Sequence, residues 1–380
     1  MLIHQFNIKM RLILIISFLL TFGSLSAQYV SNFQTEYFYG NLPSAKTEAM
    51  GMADAAIGGT VASSFFNSAG LAGIRKQEVY LSTSRPFYIL KNSSYWYAGY
   101  ARRVLPWLVA AFSVNNFAIG ETTFDVTIGD QKYPVTKGLT SNYALSVAGT
   151  PLKGLYIGLN FNWFRWKLFD DVSAASTFHI DGGLLYKLEI RDLEKLRHHA
   201  QFGVSVNNFT VSKITWEAPD GNQATNELPM IGRFAAAYMF GTDINLPVAG
   251  KGPLDFTFTL EYQNTFNSDF YNTFSVGLES VLWEVLAFRL GYFTQTQDDL
   301  GQEVNFDHIR DFTYGFGAIV PLNTLTNDKV PLAIHLDYCS LKPPSTSDLS
   351  TLKASVGRIP NMRTFTLRVV WTLATLASTK

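Results

Sequence analysis

The sequence predicts an all-β protein: about fourteen antiparallel strands closed into a transmembrane β-barrel, with an N-terminal plug inside the lumen. Three observations point there. Alternating polar and apolar segments of about ten residues recur along most of the chain, each ended by a turn, which is the rhythm of a membrane barrel. Only 16% of the 380 residues are charged while 14% are aromatic, and the aromatic residues are spread evenly. A stretch ahead of the first strand, GMADAAIGGTVASSFFNSAGLAGI (51–74), holds five glycines and a single ionisable side chain, Asp54.

Taken in order, the N-terminus comes first. Lys9 and Arg11 precede the apolar run LILIISFLLTF, and small residues follow up to Gln28. Positive charge, short apolar core and small residues are the order of a secretory signal peptide, and the apolar core is too short to span a bilayer. Residues 1–27 are therefore expected to be the signal, with cleavage after Ala27, and the protein is expected to be exported.

Residues 28–77 form the second unit. Glycine costs about 1 kcal/mol per residue in a helix relative to alanine, so this stretch builds no long helix. Nor does it suit water, because Phe65, Phe66, Leu71 and Ile74 require burial. A segment of small residues can pack inside a barrel without bulky collisions, and a lumen of that width needs a stopper.

The third unit, residues 78–376, is the barrel. Strands are expected near 78–86, 94–104, 107–117, 140–149, 155–167, 176–188, 200–211, 231–241, 254–266, 272–281, 285–297, 311–320, 331–341 and 362–373. The last is the clearest: Phe365, Leu367, Val369 and Trp371 share one face, and Thr364, Thr366 and Arg368 the other. Likewise Phe256, Phe258, Leu260 and Tyr262 oppose Thr257, Thr259, Glu261 and Gln263. An even strand count returns both ends of the barrel to one side. Short turns (VLP, TPLKG, LWE) then fall at the periplasmic end and most long connections outside. Three periplasmic connections read as longer: LEIRDLEKLRHH, GTDINLPVAGKGP and PLNTLTNDKVP. A soluble sandwich would use strands of about five or six residues and bury its apolar faces, which this pattern does not favour.

Some function classes drop out on composition. Thirty basic and thirty acidic residues give no net charge and hence no electrostatic footprint for nucleic acid. One cysteine, Cys339, forms no intramolecular disulfide. No metal or cofactor motif is visible. His198 and His199 are adjacent, so on a strand they would face opposite ways, and a solvated periplasmic turn is the expectation for them. No Gly-x-Ser-x-Gly elbow supports a hydrolase, leaving an outer-membrane hydrolase as the third reading.

The stretch AMGMADAAIGGTVASSFFNSAGLAGI resembles the N-terminal plug of the FadL-type and PorV/PorQ-type outer-membrane barrels. Those families typically read Ala-Met-Gly-Met-Gly-Gly, then an aromatic residue and Asn-Pro-Ala-Gly-Leu-Ala. The positions that match are Ala49, Met50, Gly51, Met52, Phe66, Asn67, Ala69, Gly70, Leu71 and Ala72, with Ser68 standing in place of the proline. The FadL resemblance implies a non-enzymatic outer-membrane barrel that passes hydrophobic small molecules beyond a plug and sideways into the membrane. The PorV/PorQ resemblance implies an accessory subunit of the type IX protein secretion system. Expected partners are thus membrane lipid, a hydrophobic ligand and, on the second reading, secretion components.

Candidate site residues follow from both arguments. In the plug they are Gly51, Met52, Phe66, Asn67, Ser68, Ala69, Gly70 and Leu71. Asn67 reads either as a latch to the wall or as a local Asx-turn. Within the lumen, a polar network is expected from His179, Asp181, Glu261, Glu279, Arg289, His335, Asp337 and Arg368, since charges in a membrane barrel gather inside. Trp216, Phe124, Tyr133 and Phe306 are expected in external loops, where they could meet an apolar ligand.

Overall fold

The computed structural model describes residues 42–84, 93–119, 124–128, 131–135, 138–167, 173–190, 197–246, 250–267, 272–296, 309–326, 330–341 and 362–371. The signal peptide and the first part of the expected plug unit lie outside them.

Fourteen antiparallel strands form one closed barrel. In chain order these are β1 (Gln77–Ser84), β2 (Ser94–Leu105), β3 (Leu108–Ile119), β6 (Gly138–Leu152), β7 (Leu155–Lys167), β8 (Ala175–Glu189) and β9 (Arg197–Asn207). The second half is β12 (Ile231–Leu246), β13 (Gly250–Thr265), β14 (Asn272–Leu282), β15 (Leu286–Thr296), β16 (Ile309–Val320), β17 (Leu332–Leu341) and β18 (Met362–Trp371). The missing numbers belong to two small hairpins between barrel strands, β4 (Phe124–Ile128) with β5 (Gln131–Val135), and β10 (Lys213–Glu217) with β11 (Gln223–Glu227). Closure is made by β1 against β18, with Leu81 opposite Leu367. Each expected segment is a barrel strand.

The alternation assigns the two faces. Phe365 is 54% exposed while its neighbour Thr366 is 3% exposed. Leu81, Phe112, Leu145, Phe161, Phe202, Leu290, Phe316 and Leu336 are likewise exposed, each on a different strand. An apolar surface of that extent is stable only against hydrocarbon, so the outside is the lipid face of a transmembrane barrel. Leu336 lies midway along β17 and is exposed. Leu336→Arg is therefore expected to cost about 2–4 kcal/mol, the range for a cation on the lipid face near the midplane. Equilibrium unfolding from lipid vesicles would show this, with Leu336→Met as the neutral control.

Short turns crowd one end of the barrel. Lys153 and Gly154 join β6 to β7, with Gly154 at φ +78°. Trp283 and Glu284 both take positive φ between β14 and β15, as a tight hairpin requires. One expected long connection is absent: β12 and β13 pair through most of GTDINLPVAGKGP, with Thr242 opposite Leu254. Inter-strand hydrogen bonds there outweigh the local turn signals. The histidine pair is also corrected. β9 begins at Arg197, so His198 and His199 sit in a barrel strand rather than a turn, and His198 Nδ1 is 2.8 Å from the Tyr238 hydroxyl.

Opposite the short turns, the β10–β11 hairpin folds back onto the barrel. Ile214 and Trp216 are buried, and the Trp216 ring lies 5.9 Å from that of Trp166. Trp216 is therefore part of the core and not a free loop aromatic. The side chains of Phe124, Tyr133 and Phe306 fall outside the described residues. Inside the barrel the main hydrophobic cluster runs from Val61 and Leu71 through Tyr95, Phe117 and Phe164 to Trp216 and Leu228.

Candidate functional site

Residues 42–76 lie within the barrel and are bonded to its inner wall. The segment starts with a one-turn helix, α1 (Ala45–Ala49), capped by Ser44, whose hydroxyl accepts from Thr47 N at 3.1 Å. A second short helix, α2 (Ser63–Phe66), runs into a 3-10 stretch, Ser68–Gly73. Most of the rest is turn, so its backbone groups need partners. The inward polar side chains of the strands supply many of them.

Ala45 N donates to Thr366 Oγ1 at 3.0 Å. Gly51 N donates to Thr313 Oγ1 at 3.0 Å, and Thr313 donates to Ala49 O at 2.9 Å. Val61 N donates to Glu78 Oε1 at 2.8 Å. Two successive amides, Asp54 N and Ala55 N, converge on Glu261 Oε2 at 2.9 and 2.8 Å, a nest for one carboxylate oxygen. Ser205 donates to Phe66 O at 2.6 Å.

Asn67 bonds both within the segment and to the wall. Its Oδ1 accepts from Ala69 N at 3.1 Å, the Asx-turn, while its Nδ2 donates to Ala55 O at 2.8 Å and to Leu184 O on β8 at 2.9 Å. A Cβ at Gly183 would stand 2.0 Å from Asn67 Oδ1, so this wall position is glycine because the inner segment touches it. Gly51 and Met52 both have positive φ, at 69° and 75°. They form a turn against β15, where a Cβ at Gly291 would meet Gly51 N at 2.0 Å. Phe66, Ser68, Ala69, Gly70 and Leu71 are buried.

The charged residues form four groups. Glu279 accepts from Arg289 Nε at 2.7 Å and from Lys46 Nζ at 2.8 Å, and Arg289 Nη1 reaches Asp337 Oδ1 at 2.7 Å. Arg368 contacts His335 Nδ1 at 2.8 Å and lies 3.6 Å from Glu78. Glu261 stands apart from Glu279 and pairs with Arg233, Nε to Oε1 at 3.5 Å; both are almost fully buried. Arg233 also donates to Asn207 and lies 5.9 Å over the Phe66 ring. His179 and Asp181 sit elsewhere, among asparagines of β7, with Asn162 Nδ2 donating to Asp181 at 2.8 Å. Sequence reasoning missed Lys46, Glu78 and Arg233. The last was visible as the one charge in IGRFAAAYMF, which a membrane barrel strand would turn inward.

Burial pushes the carboxyls of Asp54 and Glu48 up to about 8 each. Lys46 opposes this at Asp54, and a hydrogen bond from Thr364 opposes it at Glu48. The folded state thus holds protons that the unfolded chain releases, so their stabilising contribution is full below about pH 4 and lost as pH rises toward 8. Proteolytic protection of residues 42–76 is expected to be stronger at about pH 5 than at about pH 9, and Asp54→Asn is expected to flatten that dependence.

Among the described residues, no group of three or more His, Cys, Asp or Glu side chains is placed to hold a metal. Among the described residues, no helix is long and apolar enough to cross a membrane. The site is defined by the interior segment and the wall that holds it: a closed fourteen-stranded barrel with residues 42–76 bonded to its inner face.

Several solved structures are similar to this chain over most of its length. One is the CymD monoaromatic hydrocarbon channel, 12% identical, with 88% of this chain and 98% of that one covered and a TM-score of 0.42. The Ralstonia pickettii toluene transporter TbuX is 12% identical, with 87% and 98% covered and a TM-score of 0.40. A FadL homologue from Pseudomonas aeruginosa is 9% identical, with 86% and 97% covered and a TM-score of 0.44. No protein-family model and no curated protein matches the chain.

Proposed function

We propose that the protein is a non-enzymatic barrel of the bacterial outer membrane that admits hydrophobic small molecules, such as long-chain fatty acids, with residues 42–76 as its plug and release sideways into the bilayer. The observation that carries this reading is an apolar furrow of about 720 Å³ on the lipid side of the wall. It crosses the β1–β18 seam between two rows of outward residues: Leu336, Leu367 and Leu81 in one, Tyr338, Phe365 and Trp96 in the other. Its volume is that of a small-molecule site, and it lies on the face that meets lipid. The plug resemblance in the sequence supports the same reading.

The test is uptake of radiolabelled oleate and of toluene by vesicles holding the purified protein. Flux above empty vesicles, lowered by Leu81→Trp/Leu367→Trp within the furrow, is the expected result. No flux for either compound overturns the reading.

A second reading, an accessory subunit of the type IX secretion system, is favoured by how completely the lumen is filled. The inner segment packs against the wall, and the β10–β11 hairpin packs over Trp166. Such a barrel suits docking of a partner at least as well as conduction. Crosslinking in intact cells from photoreactive residues at Leu81 and Trp96 distinguishes the two, because only the secretion reading returns secretion components.

A further inference from the structure

A second cavity, inside the barrel, has different chemistry. It measures about 20 Å³ and is lined by Asn115 of β3, Asn142 of β6, Asn160 and Asn162 of β7, Asp181 of β8 and Asn207 of β9. Ser64 and Phe65 of the inner segment line it as well. Five asparagines and one aspartate thus line one chamber from five successive barrel strands.

Their hydrogen bonds run in one direction. Asn142 Nδ2 donates to Asn162 Oδ1 at 2.9 Å, and Asn162 Nδ2 donates to Asp181 Oδ2 at 2.8 Å. Asn160 Nδ2 donates to the same oxygen at 3.2 Å and to Ser64 O at 2.5 Å. Asn208 N donates to Asp181 Oδ1 at 2.7 Å. These contacts use up amide N–H groups and leave oxygens. Asn142 Oδ1 and Asn160 Oδ1 have no hydrogen-bond partner among the described residues, and Asn115 has the Tyr95 hydroxyl beside it. Asn115 and Asn160 are each 2% exposed, so an unmet group there costs about 1–3 kcal/mol.

Charge is the other half of the argument. Asp181 is buried; besides these neutral donors, His179 Nε2 lies 3.8 Å away and the Arg233 guanidinium is within electrostatic reach. Arg233 is engaged by Glu261 and Asn207. Amide oxygens gathered beside one carboxylate are the ligands of a hard cation, and a set of neutral oxygens can replace an ion's hydration shell. A single carboxylate balances a single positive charge. The cavity also exceeds the volume that one water-sized species needs.

We infer that this chamber binds one desolvated monovalent cation of the sodium class, held by the oxygens of Asn115, Asn142 and Asn160 with Asp181 supplying the charge. Asn160 also holds Ser64 O and Asn207 holds Phe65 O, so an ion here orders the side chains that fix the inner segment to β7 and β9. Ion binding is independent of what the barrel transports, and its test reads no flux.

The full-length protein in detergent is melted in sodium chloride and in choline chloride at equal ionic strength. Sodium is expected to raise the melting temperature of the wild type saturably, with an apparent affinity about tenfold weaker in Asp181→Asn and in Asn115→Leu. Asn115→Asp, which adds a second carboxylate, is expected to move the preference from sodium toward calcium, and it keeps the test open should the leucine variant not fold. Crystals soaked in thallium(I) nitrate are expected to show an anomalous peak in the chamber. Identical melting in sodium and choline, or a crystal with only water bonded to these asparagines and no anomalous peak, overturns the inference.

Discussion

The double variant Gly158→Val/Gly203→Val is expected to release residues 42–76 from the wall while leaving the barrel closed. A Cβ at Gly158 would lie 2.2 Å from the Ser68 carbonyl carbon and 2.4 Å from Ala69 N. One at Gly203 would lie 2.0 Å from Ala55 O and 2.6 Å from its carbon. Every one of these neighbours is backbone, so no side-chain rotation relieves the overlap. Overpacking costs about 1–3 kcal/mol per site, set against an inner segment held by separate hydrogen bonds and little regular structure. The strands themselves favour the change, because valine suits a pleated surface better than glycine does. The folded barrel should therefore persist in a gel-shift assay while the inner segment becomes open to protease and single-channel conductance rises. Gly182→Val is the control: Gly182 neighbours Gly183 but meets only the Phe209 ring at 3.4 Å and the Leu159 side chain at 3.8 Å. Unchanged protection and unchanged conductance in the double variant would mean that the wall does not hold the segment through these contacts.

The same contacts show why the strands were legible in the sequence and the site only partly so. A strand with one face in lipid and one in the lumen writes its orientation at every residue, which is why Phe365 and Thr366 could be assigned opposite faces. Where a strand leaves the bilayer, that pressure ends. Asp243 faces Pro253 in a ladder that no local pattern announces. The β10–β11 hairpin carried a signal, the Asp220–Gly221 turn between alternating residues, with Gly221 at φ +87°. It was obscured by the polarity of the surrounding loop.

Register separates the ion pairs that could be read from those that could not. Glu279 lies directly opposite Arg289, and His335 directly opposite Arg368, so adjacency of strands was enough to group them. Glu261 lies opposite Ala235, and its partner Arg233 is two residues further along, a diagonal neighbour. Strand adjacency alone therefore does not reveal the partner of Glu261. Lys46 and the amides of Asp54 and Ala55 come from a segment whose path through the lumen leaves no periodic mark in the chain.

The diagonal pair carries the other large effect, and the variants separate its parts. Glu261→Ala removes the counter-charge of Arg233, which is only 2% exposed, and strips two inner-segment amides of their acceptor. Breaking one side of a buried ion pair costs about 3–5 kcal/mol because the remaining charge is uncompensated, and each abandoned amide adds about 1–3 kcal/mol. Arg233→Met alone should cost less, since Glu261 keeps both amides as donors. In Glu261→Ala/Arg233→Met the stranded guanidinium is gone, so the double variant should be more stable than Glu261→Ala despite carrying more changes. Guanidinium unfolding midpoints of the refolded barrel measure all three. Costs that add within about 0.5 kcal/mol would show two independent side chains. Strong non-additivity would show that the barrel wall and its inner segment meet at one shared carboxylate, so that neither Arg233 nor the Asp54–Ala55 turn keeps its place without Glu261.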